Sequence, residues 1–522
     1  MSAKDYFRPR GDITTVLDLT DRDSQDNTYF PLDTDESWFH RGDHKTVYPS
    51  SLSIQEFTQR GPADWGQKFS FEIGSLPAGD LLQAVILQIK LDSWYNEDIV
   101  NKLVSGQIRA NTNNNYGTEY WTYMNSLGTA IIEYADFIVG DKTIERLSGE
   151  FIRVFLNLFA DINDIIGIAT DGVGTVPVSY LSTNPINPSI STESFVSQTE
   201  FNPNRPFPTE SGTYFCILPF FFLRTRLSEV FPLLSCNEGT VRVDVKLRPF
   251  EHVVRRWIGY RENCIQTPLN SNVRFNVISP ASTITTRTAE CPPQFRDFRI
   301  ITASALITGS LRDKFLRRPF EQMVRLVQTF NFEEPLKYIV SKPSSNVDTV
   351  EIQLPLELNH PVTEIFWVFR RKGVIVNNEW SNFTPALGLE TNPNKVYPPW
   401  LDWATIRLNG SELISADGNW FREHIASVHN GGLSAYNAYT YGYSFAIYPE
   451  QHQPSGTANM SRTTSVTLNL RVNQPIQKDL SSLNPPCIFD TTVTSGWEVF
   501  VYAIHMNWLR FENGICNPMF TD

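Results

Sequence analysis

The sequence predicts an all-β fold made of two tandem copies of one sandwich, with a few short helices inserted. Three observations carry this: segments that alternate apolar and polar residues, turns of Pro, Gly and Asn between them, and a faint internal duplication. Alternation with a period of two marks a strand that buries one face.

Phe69, Phe71 and Ile73 alternate with polar neighbours, and Val85, Leu87, Ile89 and Leu91 form a second such run. Val241, Val243, Val245 and Leu247 alternate with Arg242, Asp244 and Lys246, and Val466, Leu468, Leu470 and Val472 with Thr467, Asn469 and Arg471. Short strands punctuated in this way belong to antiparallel sandwiches or barrels. The greasiest run, YFCILPFFFL at 214–223, is short and holds Pro219, which suits a buried strand with a bulge or edge.

Helical spacing is confined to two places. Leu147, Phe151, Phe155, Leu158, Ile162 and Ile165 recur every three to four residues. A second helix is predicted from Pro319, a good first helical residue, through Phe320, Met323, Val324 and Val327.

The duplication is the most informative feature. FSFEIGSLPAGDLLQAVILQIKL (69–91) and VEIQLPLELNHPVTEIFWVFR (350–370) share a layout of alternating strand, proline-bearing turn and strongly apolar strand. Two copies of one sandwich account for a length of 522 residues, too long for one core at roughly 100 to 200 residues per domain. The predicted division is an N-terminal arm at 1–50, a first sandwich at 51–255, a Pro/Ser/Thr/Asn-rich linker at 256–292 and a second sandwich at 293–522. Residues 183–208 read as a polar surface insertion.

Composition narrows the function. A formal charge of -12 opposes wrapping of nucleic acid, which needs a basic face. Arg255-Arg256, Arg317-Arg318 and Arg370-Arg371-Lys372 are too scattered for a phosphate track and read as solvated edges or subunit contacts. The first residues lack the apolar core of a secretory signal, and no window approaches the roughly 18 apolar residues that span a bilayer, so a soluble, cytosolically made chain is predicted. Cys216, Cys236, Cys264, Cys291, Cys487 and Cys516 are dispersed without metal spacing, so reduced, mostly buried thiols are expected.

Reactive constellations are weak. There is no P-loop, dinucleotide fingerprint, HExxH, GxSxG or EF-hand loop. His40 and His44 flank Arg41-Gly42-Asp43, which disfavours the helix a metal pair would need, and the acidic run 18–26 lacks the glycine and distal glutamate of a calcium loop. Glu423 beside His424 and His429 makes an acid/base pair conceivable, but the polar ends of a loop near Gly431-Gly432 are the better reading. Two RGD triplets, at 10–12 and 41–43, and sequons at Asn382, Asn409 and Asn459 are of the kind that arise by chance. GYSFAIYPEQHQPSGTANMSR (442–462) brings Glu450, His452, Ser455 and Ser461 onto one segment, hydrolase residue types without a strained elbow to hold them, and so reads as a structural turn. No catalytic, cofactor-binding or metal residue is assigned, and no cofactor is expected.

Several segments together resemble the major capsid proteins of nucleocytoplasmic large DNA viruses. Pro449-Glu450-Gln451-His452-Gln453-Pro454-Ser455-Gly456 followed by Asn459-Met460-Ser461-Arg462 resembles that family's strand-loop-strand block. Residues 128–151, 218–250, 358–370 and 497–514 are similar to further family blocks in the expected order, while residues 25–41 resemble the entry segment only loosely.

The resemblance implies two tandem eight-stranded jelly rolls, a double jelly roll, in a structural and non-enzymatic protein. It implies homotrimers that form pseudo-hexagonal capsomers tiling an icosahedral virion shell, assembled in the host cytoplasm. The implied partners are the chain itself, neighbouring capsomers, minor capsid and vertex proteins and an internal viral membrane, without direct nucleic-acid binding. A poxvirus-type scaffold coating immature membranes is the alternative of the same fold. A glycan-binding or hydrolytic sandwich using Trp and Tyr around 94–123 is the alternative of another class. Read as turn chemistry, His452 predicts that His452→Ala impairs folding or trimer yield.

Overall fold

The computed structural model describes residues 50–59, 61–74, 78–91, 119–123, 127–159, 213–223, 230–258, 261–263, 274–278, 284–288, 295–341, 349–372, 380, 383, 399–429, 439–451, 454–473 and 496–520. The expected arm at 1–50 (save Ser50), the insertion at 183–208, and His452 lie outside them. Eight strands build the first sandwich: β1 (Ser50–Thr58), β2 (Lys68–Glu72), β3 (Leu81–Leu91), β4 (Ile132–Val139), β5 (Lys142–Ser148), β6 (Thr213–Ile217), β7 (Val241–Leu247) and β8 (Phe295–Ile307). They pair antiparallel as two sheets, β1-β8-β3-β6 and β2-β7-β4-β5.

Eight more build the second: β9 (Phe320–Phe332), β10 (Thr349–Leu356), β11 (Pro361–Arg371), β12 (Leu401–Leu408), β13 (Ser411–Asp417), β14 (Thr440–Ser444), β15 (Val466–Asn473) and β16 (Trp497–Glu512). Their orders are β9-β16-β11-β14 and β10-β15-β12-β13, the first sandwich's orders with eight added to every label. This is a double jelly roll. The duplicated sequence segments are β2–β3 and β10–β11, the same place in each copy.

One boundary differs from the sequence reading. Residues 295–307, placed by that reading in the second sandwich, form β8 and lie between β1 and β3, with Ile301 opposite Ile86 and Glu56 opposite Ile301. The expected linker lies between β7 and β8 in chain order. It carries short strands, and Val254–Ile258 pairs with Glu119–Tyr123 from the β3–β4 excursion. Pro, Ser and Asn density marks departure from a sheet and cannot say whether the chain returns to it.

Burial explains the strand patterns. In β15 buried and half-buried residues alternate, whereas almost every residue of β11 and the first two thirds of β16 is buried. Ile365, Trp367, Phe369, Val499 and Val501 point into the second sandwich's own core. Phe366, Val368, Phe500 and Tyr502, at the alternate positions, join the core of the first sandwich. A sheet covered on both faces reads as a continuous apolar run, as EIFWVFR and WEVFVYAI do. Each large side chain so buried is worth about 1.5 to 3 kcal/mol.

Three helices matter here: α1 (Gly149–Phe159), α2 (Ser310–Arg317) and α3 (Gly418–Val428). The helix predicted from Pro319 is instead strand β9, paired with β16 over thirteen positions, and the helix α2 precedes it. Val324, Leu326, Phe330 and Phe332 also obey a period of two, so the apolar spacing was ambiguous and sheet pairing decides it. The predicted loop holding His424 and His429 is α3, capped by Asp417, whose carboxylate accepts the Trp420 N–H at 2.9 Å. Both α1 and α3 follow the fifth strand of their sandwich and both begin with glycine. A Cβ on Gly149 would stand 2.2 Å from the Ile132 carbonyl oxygen, and one on Gly418 2.1 Å from that of Leu401. Ile132 and Leu401 are the first residues of β4 and β12, so the same close approach is built twice.

Candidate functional site: the buried joint between the sandwiches

The first sandwich rests α1 on the outer face of the β9-β16-β11-β14 sheet. Phe151 stacks on Phe366 with ring centres 6.2 Å apart and meets Tyr502 at 5.2 Å. At the far edge Phe511 packs against Phe231 at 5.7 Å and stacks on Phe320 at 4.8 Å. Gln322 donates to the Val230 carbonyl at 2.9 Å, and Ser235 to that of Phe315.

Inside this apolar joint lies a set of four charges. The Glu150 carboxylate, in the first turn of α1, accepts from Arg248 at 2.8 Å and from Arg370 at 2.9 Å, and Arg370 also donates to Glu498 at 2.7 Å. Glu150 and Arg248 come from the first sandwich, Arg370 and Glu498 from neighbouring strands β11 and β16 of the second. Trp380 roofs the set: the Arg248 guanidinium lies 3.8 Å from its ring centre, and its indole N–H donates to the His252 carbonyl. Burial opposes ionisation of Glu150, but Arg248 and Arg370 outweigh it and hold the carboxyl at about 2. Burial likewise works against the Arg370 guanidinium, and Glu150 and Glu498 together raise its pKa. Two cations and two anions cancel, the condition under which buried charges are tolerated.

The sequence reading placed Arg370-Arg371-Lys372 at a solvated edge; Arg370 and Arg371 are buried instead. The four members are far apart in sequence and carry no spacing signal. The one available clue was a charge at an outward position of an unusually apolar strand.

A second buried cluster joins Glu450 to the end of α3 and to β11. His429, at the end of α3, lies with one ring nitrogen 2.8 Å from Glu364 of β11 and the other 3.3 Å from Glu450. Burial alone would lower the imidazole pKa, yet Glu364 and Glu450 raise it to about 9. The acid partners of His429 are therefore Glu364 and Glu450, and Glu423, the neighbour weighed from sequence, is exposed on α3.

The remaining candidates are dispersed. Ser455 bonds Tyr448, its hydroxyl accepting the Tyr448 N–H at 2.8 Å, and the Ser461 hydroxyl accepts the His360 N–H at 2.8 Å. A Cβ on Gly456 would stand 2.3 Å from the Phe445 carbonyl oxygen, so the bend requires glycine. Asn409, one of the sequon residues, uses its side-chain oxygen to accept the Thr464 N–H at 2.7 Å across the turn. Cys216, Cys236 and Cys516 are buried free thiols, and burial pushes Cys216 up to about 12. Among the described residues no group of three or more His, Cys, Asp and Glu is gathered to hold a metal ion, and no helix is long and apolar enough to cross a membrane.

Two family models match consecutive parts of the chain. The model for the large eukaryotic DNA virus major capsid protein matches residues 312–517, and that for the major capsid protein N-terminus matches residues 37–268. The major capsid protein of Pyramimonas orientalis virus is 29% identical over 177 residues, which are 32% of this chain and 38% of the relative. That of Paramecium bursaria Chlorella virus 1 is 25% identical over 227 residues, 39% of this chain and 49% of the relative. The chain thus aligns with less than half the length of these curated relatives. Among solved structures, the quasi-atomic model of the PBCV-1 virus capsid superposes with a TM-score of 0.62 at 17% identity, covering 93% of this chain and 100% of that one. The Faustovirus major capsid protein gives 0.59 at 12% identity, covering 94% of each.

Proposed function

The chain belongs to the major capsid protein family of large eukaryotic DNA viruses, and from that premise we propose that it builds the icosahedral shell of such a virus. Three copies associate as a homotrimer whose six sandwiches form a pseudo-hexagonal capsomer, and capsomers tile the virion shell. Its partners are itself, neighbouring capsomers, minor capsid and vertex proteins and the internal viral membrane. Assembly proceeds in the host cytoplasm, and the chain performs no catalysis.

The observation that supports this best is the repetition of one eight-strand pattern with a wide buried joint between the copies. A shell subunit must hold its contact surfaces in a fixed relation, and the shared core together with the four-charge set makes two sandwiches into one rigid block. Light scattering on the purified full chain, followed by negative-stain imaging of the main peak, is the test. A three-chain particle with a six-lobed outline is expected. A monomer at about 50 μM would overturn the reading, as would abundance on immature membranes combined with absence from purified virions.

A further inference from the structure

We infer that Cys236 and Cys516 are a latent disulfide, a staple between the two sandwiches that closes by exchange with a small disulfide such as oxidised glutathione. The pair lies within one chain, so it closes in a monomer or a trimer alike.

Folding brings together two cysteines from opposite halves of the sequence. Cys236 ends the short turn Leu233–Ser235, on the path of the first sandwich from β6 to β7. Cys516 lies on the short strand Ile515–Pro518, which folds back on β16 of the second sandwich and sets Cys516 opposite Phe511. Both cysteines belong to the apolar core that also holds Phe231 and Phe511.

The two segments are held against each other on both sides of the thiols. The Glu238 N–H donates to the Gly514 carbonyl at 3.2 Å, two residues from each cysteine, and Lys142 of β5 donates to the Asn517 side-chain oxygen at 2.9 Å. A Cβ on Gly514 would stand 2.2 Å from the Asn237 side-chain oxygen, so this approach depends on glycine. The Cys236 thiol hydrogen-bonds Cys516, and that bond together with burial raises its pKa. Sulfur already meets sulfur, the approach a disulfide requires. Cys216, by contrast, donates to the Ile217 carbonyl at 3.7 Å.

Closed, the pair is inert, because burial and the raised pKa leave little of the thiolate that reacts. Access comes from the short strand. It is paired with β16 only across Leu509–Glu512, and its first residue, Ile515, is 49% exposed. Such an edge opens at far lower cost than a whole sandwich.

The exchange then runs in two steps. Cys516 gives its proton to water, and its thiolate attacks one sulfur of oxidised glutathione and expels one glutathione thiolate. When the strand closes, Cys236 loses its proton in turn and attacks the Cys516 sulfur, expelling the second glutathione thiolate. The two expelled thiolates take up the two protons, one S–S bond is exchanged for another, and two electrons pass from the protein to glutathione. Reducing surroundings keep both thiols; oxidising ones tie sandwich to sandwich.

The test holds the full chain in native buffer with oxidised glutathione, quenches it in acid and digests it with pepsin. A peptide pair joined through Cys236 and Cys516 is expected, and none from chain kept in reduced glutathione. The same oxidation is expected to raise the urea midpoint of the wild type by at least about 0.5 M, and to leave that of Cys516→Ser unchanged. Should the variant fail to fold, the wild-type peptide map decides alone. Cys236 and Cys516 recovered on separate peptides would overturn the inference, as would glutathione retained on Cys516 without the link, or a link that forms only after unfolding in urea.

Discussion

The helices α1 and α3 start alike and end in opposite surroundings. Each follows the fifth strand of a sandwich, and each begins with a glycine pressed on the carbonyl oxygen of the fourth strand's first residue. Beyond that point α1 carries Glu150, Phe151 and Phe155 into a dry joint, while α3 carries Asn419, Trp420 and His424 to the surface. One backbone solution therefore serves two tasks. Where the contact is permanent, the side chains are apolar and charge-paired; where the surface is left open, they are aromatic and polar.

The largest test of this contrast is removal of a charge from the permanent joint. Glu150→Ala leaves Arg248 and part of Arg370 buried without their anion and is expected to cost about 3 to 5 kcal/mol in urea unfolding. The corresponding Asn419→Ala should stay within roughly 0.5 kcal/mol, as exposed substitutions do. Equal losses at the two sites would show that the helices are not divided in this way.

Next in size is the shared glycine. Gly149→Ala and Gly418→Ala each place a methyl group against a fixed carbonyl and should destabilise by about 1 to 3 kcal/mol, as overpacked core positions do. The two losses should agree, because the close approach is the same in both copies; a neutral Gly418→Ala would break the equivalence.

A further contrast is read by pH. The His429 pKa is raised from 6.5 to about 9 in the folded chain. A raised pKa means that the folded state holds the proton more tightly, so the stabilisation is complete below pH 6.5 and lost as pH rises through about 9. The difference in urea midpoint between wild type and His429→Gln should shrink over that interval. A constant difference would show that the bridge to Glu364 and Glu450 does not depend on the imidazolium.

Much of the architecture was legible in the chain. The alternation in β2, β7 and β15 and the likeness of 69–91 to 350–370 located matching strands, because one-sided burial writes itself into sequence with a period of two. The place of β8 was not legible, since a strand's pattern shows which face is buried and not which strand lies beside it. The β9 segment satisfied helical and extended spacing at once. The joint's charges escaped because four separate stretches supply them, and only folding brings Glu150 to Arg248, Arg370 and Glu498. In the block 442–462, Glu450 meets His429, a histidine supplied by another element, which the block's own spacing could not show.

The sheet order also sets a timetable. β16 stands between β9 and β11, so that sheet remains two unconnected pieces until residues 497–512 have been synthesised. At about 5 to 20 residues per second, a ribosome takes roughly 8 to 33 s to travel from the end of β9 to the start of β16. Once β11 has emerged, Ile365, Trp367 and Phe369 must wait for their β16 neighbours Ala503, Val501 and Val499, which makes the nascent second half a natural client for a chaperone.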